Sequence, residues 1–502
     1  MEAPHVVDGN AFADLPKLVG EYRRRRPQET VLYQVVQENY RTYASFCEDQ
    51  NRPLPGFVCR EFEKYLRCGV LCEGFARLHC SACGYDRLVG FSCKRRGFCP
   101  SCLGRRMNDG AAYLVDHVFG DTPVRHWVLS LPHPLRYILA YDASLLSDVL
   151  GGFIEEVFRF LRWQAKSTLG LDSVTQAHPG AVTAIQRSSS HLSLNIHFHS
   201  LVSEGVFVQE DSGGPAIFHQ LPPPTDDEVS HVASEVCKRT IALLKRKGRW
   251  HDDPEQDSED PLAAKEPALA DAYQASIRGV LSMGPGRGQR VVRFFGAAAQ
   301  RDGEGDDSPR RPGGFDLYAR QATFSHDRER VEKLARYILR PPLAQNHLQR
   351  LGDGRVVLQL KRAWRDGTTA VIFDAVDLMS KLTALIPRPR TNVIRFHGVY
   401  AANANLRSRV VPPEEAADRH RACGHDSDAD PSYRRHRLLW AQLLARVFQV
   451  DVFRCPKCAS GRLQRIAWIL DPLAIRKILA SVGLATDSPE PHPATFQEEM
   501  IG

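Results

Sequence analysis

The chain has 502 residues, of which 43% are hydrophobic and 25% charged, as in an ordinary globular protein. This length exceeds what one compact core supports, so we expect two to four domains. The sequence has no run of about eighteen apolar residues and does not open on a basic segment followed by an apolar one. We therefore expect no membrane span, no secretion signal and a cytoplasmic location. The net charge of +7 is compatible with a polyanionic partner but does not require one.

The elements predicted along the chain follow no regular alternation. Apolar runs and period-2 patterns predict strands at residues 124–131, 181–186, 192–208 with a turn near 204–205, 315–324, 356–361 and 369–375. Apolar spacing of three and four residues predicts helices at residues 144–163, at 227–247 and within 325–344. Stretches rich in Pro, Gly and acidic residues predict loops or linkers at 209–214, 251–261, 301–314 and 411–432. This order favours an α+β fold, a sheet with helices on one face.

Cysteines are concentrated in one stretch, since seven of the 13 lie between Cys68 and Cys102. Two CxxC pairs in it are separated by fifteen residues, and this spacing is typical of a zinc ribbon. The predicted zinc ligands are Cys80, Cys83, Cys99 and Cys102. A site closed by four thiolates has no open coordination position, so we expect this zinc to be structural. The loop between the pairs carries cations that could contact a phosphate backbone: Lys94, Arg95 and Arg96.

The remaining cysteines allow more than one interpretation. Cys93 lies in the loop between the two pairs and could compete as a ligand, while Cys68 and Cys72 fit packing as well as metal binding. Cys455 and Cys458 form a second CxxC near the C-terminus, with no further pair after it. This half knuckle could recruit Cys423 or a histidine, or it could be a simple reduced turn.

Two histidines lie one residue apart in the predicted strand 192–208. Side chains at i and i+2 of a strand project from the same face, so His197 and His199 point together. Ile196 and Phe198 then point to the opposite face, which we expect helices to cover. Two neighbouring imidazoles can converge on one divalent ion. The alternative is that both are half-buried core side chains.

A tyrosine lies off the apolar face of the predicted helix within 325–344. The apolar stripe of this helix consists of Val331, Leu334, Ala335, Ile338 and Leu339. At 100° per residue, Tyr337 falls on a flank that it shares with Lys333, Arg336 and Arg340. Pro341 and Pro342 then end the helix. A tyrosine among cations can reach a phosphate, although an amphipathic tyrosine at the rim of a core would show the same pattern.

These motifs together resemble a known family. An HxH strand followed by a helical tyrosine is similar to the HUH endonucleases. Six blocks narrow the resemblance: SCKRRGFCPSC, LNIHFHSLVSEGVF, RYILRPPLA, LKRAWRDGTT, PRPRTNVIRFHGVYAANA and WAQLLARVFQVDVFRCPKC. In this order they resemble the rolling-circle insertion-sequence transposases of the IS91 family, and most of all its common-region (ISCR) branch. The resemblance extends from about Cys59 to about Pro472.

The resemblance implies a role for each matching residue. His197 and His199 match the metal-binding histidines, which implies Mg²⁺ or Mn²⁺ and a third ligand that the sequence does not identify. Tyr337 matches the nucleophile that forms a 5′-phosphotyrosine with single-stranded DNA, and the two N-terminal CxxC pairs match the zinc-binding module. Some family members carry a second tyrosine four residues earlier, where this chain has Lys333. We therefore expect a single nucleophile.

The implied partners are single-stranded DNA at the ends of the protein's own mobile element and at target sites, in a bacterial cytoplasm. Cations and aromatic rings capture single strands. The candidate DNA-binding residues are Lys94, Arg95, Arg96, Arg336, Arg340, Lys361, Arg362, Arg365, Arg388 and Arg390. The aromatic candidates near them are Trp364, Phe396 and Tyr400. Two other functions fit parts of the pattern: a rolling-circle replication initiator or relaxase, and a zinc-ribbon DNA-binding regulator without catalysis.

The implied architecture has four parts. Residues 1–56 form an N-terminal helical arm, and residues 57–118 form the zinc-ribbon-like domain. Residues 119–402 form the HUH nuclease domain, an antiparallel sheet with helices that resembles the palm of RNA-recognition domains. Residues 403–502 form a small C-terminal region with helices, the CxxC pair and a flexible tail.

Overall fold

The computed structural model describes residues 22–209, 214–249, 260–283, 286–295, 312–364, 366–411, 438–458 and 461–495. The α-helices in these ranges are α1 (Val31–Asp49), α2 (Gly56–Leu66), α3 (Pro100–Leu114), α4 (His133–Tyr141), α5 (Ala143–Leu169), α6 (Asp226–Arg246), α7 (Pro261–Lys265), α8 (Pro267–Arg278), α9 (Arg328–Ile338), α10 (Ala375–Leu385), α11 (Arg407–Val410), α12 (Trp440–Phe448) and α13 (Pro472–Ser481). The strands are β1 (Phe75–Cys80), β2 (Asp86–Gly90), β3 (Val124–Ser130), β4 (Gly180–Ser188), β5 (Leu194–Ser203), β6 (Gly205–Gln209), β7 (Ala216–Gln220), β8 (Val292–Phe295), β9 (Asp316–Ala322), β10 (Leu348–Arg350), β11 (Val356–Gln359), β12 (Thr368–Phe373), β13 (Ile394–Gly398) and β14 (Leu463–Ile469).

The chain folds into two compact units, each built from separate segments. The first unit comprises Met1–Glu29, Arg67–Cys93 and Arg437–Pro489. The second unit comprises Thr30–Leu66, Lys94–His436 and Glu490–Gly502. The first unit therefore takes residues both from the predicted zinc-binding domain, 57–118, and from the predicted C-terminal region, 403–502.

The first unit contains a three-stranded antiparallel sheet in the order β14-β1-β2. Strand β1 is the central one, and its residues Phe75 to Cys80 pair with Ile469 to Leu463 of β14. Helix α13 covers this sheet through a core of Phe75, Leu88, Ile475 and Leu479. Residues near the two ends of the sequence thus share one sheet and one core.

The second unit is organised around a five-stranded antiparallel sheet in the order β13-β4-β5-β3-β9. Its central strand β5 alternates its side chains between two buried faces. On one face Phe198 is fully buried and its ring stacks on Phe153 of α5, with centroids 6.3 Å apart. This contact agrees with the expectation that helices cover the face of Ile196 and Phe198.

The opposite face of the same sheet is also covered, which corrects the expectation of helices on one face only. Residues of β4 and β5 join residues of α3 and α9 in one apolar core. The contributions of α9 to this core are Val331, Leu334, Ala335 and Ile338. An amphipathic helix stabilises a fold only by burying its apolar stripe, and this face of the sheet provides the partner.

The predicted elements are confirmed with small shifts at their ends. The predicted strand 192–208 divides at the expected turn, because β5 ends at Ser203 and β6 begins at Gly205. β6 then pairs with β7 instead of continuing in the five-stranded sheet. A further four-stranded sheet has the order β10-β11-β12-β8. None of the helices in the described ranges is long and apolar enough to cross a membrane.

Candidate functional site

The central strand β5 places two imidazoles on one face of the five-stranded sheet. His197 lies opposite Gln186 of β4 and Ser130 of β3, while His199 occupies the next position on the same face. The ring centroids of the two histidines are 4.8 Å apart. His197 is 8% exposed and His199 4% exposed. The two side chains therefore lie together on one face of β5, as expected from their i, i+2 spacing.

A third histidine, which the sequence patterns do not single out, contacts this pair. His126 of β3 lies with its Nε2 2.8 Å from Nδ1 of His199, and the two rings stack with centroids 5.0 Å apart. His126 is itself 3% exposed. The sequence offered one signal for His126, since it is a polar residue within the predicted buried strand 124–131. The pairing of that strand with β5, however, could not be derived from local patterns.

The hydrogen bonds of the two β5 histidines leave the Nε2 atom of each ring available to accept a hydrogen bond or bind a metal ion. Nδ1 of His197 donates to the carbonyl oxygen of Asn195 at 2.8 Å, so its Nε2 keeps a lone pair. When Nδ1 of His199 donates to His126, Nε2 of His199 keeps its lone pair as well. That Nε2 atom is buried and has no hydrogen-bond partner among the described residues. A buried acceptor without a partner is costly, and a metal ion would satisfy it.

Burial holds the three imidazoles in their neutral form. Desolvation, with smaller contributions from the neighbouring imidazoles and from Arg340, lowers the pKa of His199 to about 2. Desolvation also lowers the pKa of His126 to about 4 and lowers the pKa of His197. Neutral imidazole is the form that binds metal ions. No third His, Cys, Asp or Glu donor among the described residues completes a close group with His197 and His199.

Helix α9 brings Tyr337 to the histidines. The centroid of its ring lies 5.8 Å from that of His199 and 5.8 Å from that of His126, in edge contacts with both. Tyr337 is 43% exposed, whereas the apolar stripe of α9 is buried. The expectation that Tyr337 lies off the core stripe is therefore confirmed.

Two contacts fix the end of α9 that carries Tyr337. Nε2 of Gln186 donates to the carbonyl oxygen of Ile338 at 2.7 Å, which attaches the C-terminal end of the helix to β4. The guanidinium of Arg340 lies over the Tyr337 ring at 4.4 Å from its centroid. The phenol ring is thus held between two imidazoles and one permanent cation.

Apart from Arg340, which lies over the Tyr337 ring, the described candidate DNA-binding cations divide into two groups. Four of them have partners within the second unit: Arg95 with Glu61, Arg96 with the Thr391 carbonyl, Arg336 with Glu332 and Arg388 with Glu266. The more exposed candidates are Lys94, Lys361, Arg362 and Arg390. Arg365 lies outside the described residues. The four exposed cations are better placed to meet a polyanion, because none of them has an ion-pair partner among the described residues.

The aromatic candidates are less accessible for stacking with DNA bases than expected. Tyr400 is completely buried and packs edge-on against Phe119, so it offers no stacking surface. Phe396 is half-buried and packs against the apolar core of the second unit. Trp364 lies beneath the guanidinium of Arg293, at 4.9 Å from its ring centroid. Tyr400 is instead part of the apolar core of the second unit.

The first unit contains a group of four cysteines. Sγ of Cys80 lies 3.7 Å from Sγ of Cys458, and Sγ of Cys83 lies 3.6 Å from Sγ of Cys455. All four sulfurs lie within 4.8 Å of one another, so this group can hold a metal ion. Burial opposes ionisation of Cys455, but the N–H groups of Cys458 and Lys457 lower the pKa of its thiol to about 6.

This grouping differs from the pairing that sequence spacing suggested. Cys80 and Cys83 meet the C-terminal pair, whereas Cys99 and Cys102 belong to the second unit. Cys99 precedes the first turn of α3 and Cys102 lies in that turn, and both are buried. Cys423, the other partner considered for the C-terminal pair, lies outside the described residues.

Two family models match the chain. Residues 180–407 match a family described as "Putative transposase", and this match contains both β5 histidines and Tyr337. Residues 36–131 match the transposase zinc-binding domain of the IS91 type, and this match contains the two N-terminal CxxC pairs. Neither a search of curated proteins nor a search of solved structures found a match.

The two matched regions define a transposase that combines a zinc-binding domain with a catalytic domain. The chain belongs to the IS91-type transposases. Its partner is therefore DNA, and its activity belongs to the DNA-cleaving enzymes. Cys455 and Cys458 lie outside both matched regions.

Proposed function

We propose that the protein nicks and joins single-stranded DNA during rolling-circle transposition of an insertion sequence, through a 5′-phosphotyrosine on Tyr337. The observation that carries this proposal is the contact of Tyr337 with His199, with ring centroids 5.8 Å apart. Attack on a phosphate needs a nucleophile next to groups that can neutralise the developing charge. The substrates are then the ends of the protein's own mobile element and its target sites.

The histidines of β5 are proposed to hold the catalytic cation, Mg²⁺ or Mn²⁺, through their Nε2 atoms. The support is the buried Nε2 of His199, which has no protein partner among the described residues, and the lowered pKa of both rings. A bound cation would offset negative charge on the non-bridging phosphate oxygens. Imidazole ligands favour Mn²⁺ over Mg²⁺, because Mg²⁺ prefers oxygen donors.

The proposed reaction exchanges one phosphate ester for another. The phenol oxygen of Tyr337 forms a bond to phosphorus and releases its proton to solvent, while the bond from phosphorus to the 3′ oxygen breaks. The 3′ oxygen takes up a proton and leaves as a free hydroxyl. Because the ester is conserved, the later joining step needs no nucleoside triphosphate. Arg340, whose guanidinium lies over the Tyr337 ring, places a positive charge beside the incoming phosphate.

The proposal assigns His126 a positioning role. If His126 accepts the Nδ1 proton of His199, it fixes the tautomer that presents the Nε2 lone pair to the cation. Gln186 has a similar role for the nucleophile, since it holds the end of α9 through the Ile338 carbonyl. Neither residue needs to touch the DNA.

The remaining predicted residues enter the proposal as supports. Cys99 and Cys102, at the N-terminal end of α3, are proposed zinc ligands. Lys94, Lys361, Arg362 and Arg390 are proposed to contact the phosphates of the single strand. The partnered cations Arg95, Arg96, Arg336 and Arg388 are proposed to contribute less to DNA affinity.

A labelled-strand assay tests the proposed function. Purified protein is incubated with Mn²⁺ and with single-stranded DNA carrying the element ends, and the products are separated under denaturing conditions. A 3′-end label should migrate with the protein, and a 5′-end label should appear on a shortened strand with a free 3′ hydroxyl. Tyr337→Phe should abolish the adduct, because it removes only the attacking oxygen.

The matched control is Tyr318→Phe, which alters another exposed tyrosine, on β9 of the same sheet. This variant should form the adduct as the unmodified protein does. Loss of the adduct in Tyr318→Phe but not in Tyr337→Phe would move the nucleophile to Tyr318. Binding of the element ends without any adduct would favour the zinc-ribbon regulator. Cleavage at a replication origin, with no activity on the element ends, would favour the replication initiator or relaxase.

A further inference from the structure

We propose that one zinc ion is bound by four cysteines from distant parts of the sequence: Cys80, Cys83, Cys455 and Cys458. We call these four residues the terminal cysteine cluster. The two partners from the C-terminal pair lie outside the region that matches the transposase zinc-binding domain. This zinc centre does not depend on the proposed DNA chemistry, because all four ligands belong to the first unit.

The distances in the terminal cysteine cluster fit a tetrahedral zinc site. Zinc binds thiolate sulfur at about 2.3 Å, so the edges of a regular tetrahedron of sulfurs measure about 3.8 Å. The two closest pairs, Cys80–Cys458 and Cys83–Cys455, are separated by 3.7 and 3.6 Å. A disulfide would need a separation of about 2.05 Å. The sulfurs therefore have the spacing of metal ligands and not of bonded pairs.

Backbone hydrogen bonds shape both turns of the cluster. The N–H of Gly84 donates to the Cys80 carbonyl at 2.8 Å, and Gly84 has a φ of 73° that favours glycine. The N–H of Cys455 donates to the Gly461 carbonyl at 3.0 Å. The first bond closes the turn that carries Cys80 and Cys83, and the second joins the chain on either side of the turn that carries Cys455 and Cys458.

Gly461 leaves the space that the sulfurs need. A Cβ atom at this position would lie 2.6 Å from Sγ of Cys80 and 2.7 Å from Sγ of Cys458. Both distances are well below van der Waals contact, so any other residue would displace a ligand from each pair. The absence of a side chain here is what permits the two pairs to approach.

The surroundings of the cluster are largely apolar. Leu78 and Leu463 form a buried core with Cys80 and Cys455, and the half-buried Cys83 and Cys458 pack against it together with Tyr85, Val89 and Phe453. Four free thiols would stabilise the pairing of β14 with β1 only weakly, because buried sulfur contributes little beyond ordinary packing. A zinc ion would link segments 372 residues apart and hold the C-terminal strand in the sheet.

The zinc content of the full-length protein tests the proposal. Cys455→Ser/Cys458→Ser should lower the zinc content, measured by inductively coupled plasma mass spectrometry, by one equivalent relative to the unmodified protein. The matched control is Cys237→Ser, which alters a buried cysteine of α6 in the second unit and should leave the zinc content unchanged. An unchanged zinc content in the double variant would overturn the proposal.

A ligand-preserving variant separates loss of metal from loss of fold. Cys458→His retains a zinc donor and should keep the equivalent that Cys458→Ser loses. With Co²⁺ in place of zinc, Cys458→His should also show a weaker sulfur-to-cobalt charge-transfer band than the unmodified protein. A cobalt spectrum identical in both proteins would show that Cys458 is not a ligand. Detection of a disulfide between the two pairs in protein isolated without oxidant would likewise overturn the proposal.

Discussion

Replacing Gly461 by alanine tests the geometry of the terminal cysteine cluster with a single methyl group. Gly461 does not have the positive φ that favours glycine, so its backbone accepts alanine without strain. The main direct effect of Gly461→Ala is therefore the contact of the new Cβ with the sulfurs of Cys80 and Cys458, with a milder contact to Cβ of Ala82 at 3.3 Å. The substitution removes no ligand and changes no charge.

The size of the effect follows from the distances. Carbon and sulfur in van der Waals contact are separated by at least about 3.5 Å, so sulfurs at 2.6 and 2.7 Å must each move by about 1 Å. Metal–ligand distances tolerate changes of only about 0.2 Å. Overpacking a fixed site costs about 1–3 kcal/mol. We therefore expect the zinc affinity of this site to fall about 5- to 150-fold.

A chelator competition assay on the full-length protein measures this change, with zinc release followed by a metallochromic indicator. Gly151→Ala is the control, because a Cβ at that position in α5 meets no atom within 4 Å. It should release zinc as the unmodified protein does. A Gly461→Ala protein that retains the original affinity would refute the inferred approach of the two cysteine pairs.

Three further predictions concern the second unit. His126→Ala should weaken Mn²⁺ binding about 10- to 100-fold, because His199 loses its hydrogen-bond partner. Electron paramagnetic resonance of free Mn²⁺ measures this change. An equal loss of binding in the control His397→Ala, on β13, would point to a general structural effect. Glu204→Leu should lower the free energy of unfolding in urea by about 3–5 kcal/mol, because Arg125 is left buried without its ion-pair partner. The double variant Glu204→Leu/Arg125→Met should recover most of that loss. If it recovers none, the unpaired charge of Arg125 is not the cause. Phe198→Ala should lower the free energy of unfolding by about 3–5 kcal/mol in the same assay, because it opens a cavity against α5. A loss below about 1 kcal/mol would mean that the surrounding core collapses to fill the cavity.

The local parts of the candidate site could be predicted from the sequence. The i, i+2 spacing of His197 and His199 was enough to place both on one face of a strand. The angle between Tyr337 and the apolar stripe of its helix was enough to keep its ring out of the core. Both predictions depend only on the periodicity of one element, and the structure agrees with them.

The parts that depend on distant pairing could not be predicted. His126 reaches His199 only because β3 lies next to β5, and nothing local specifies that neighbour. The same reason explains the cysteines: spacing favoured the nearest pair, Cys99 and Cys102, whereas Cys80 and Cys83 contact residues more than 370 positions away. Local patterns determine which way a side chain points, and strand pairing determines what it meets.

The apolar face of β5 and its polar face are therefore not independent. Phe198 is fully buried against Phe153, and this contact fixes the register of β5 in the sheet. A slip of one residue would turn Phe198 toward α9 and direct both imidazoles into the apolar cover formed by α5. Since buried, unpaired imidazole nitrogens in that cover would be costly, the register that packs Phe198 is also the one that presents His197 and His199 to Tyr337. The packing of one face of β5 thus determines which side chains the other face presents to α9.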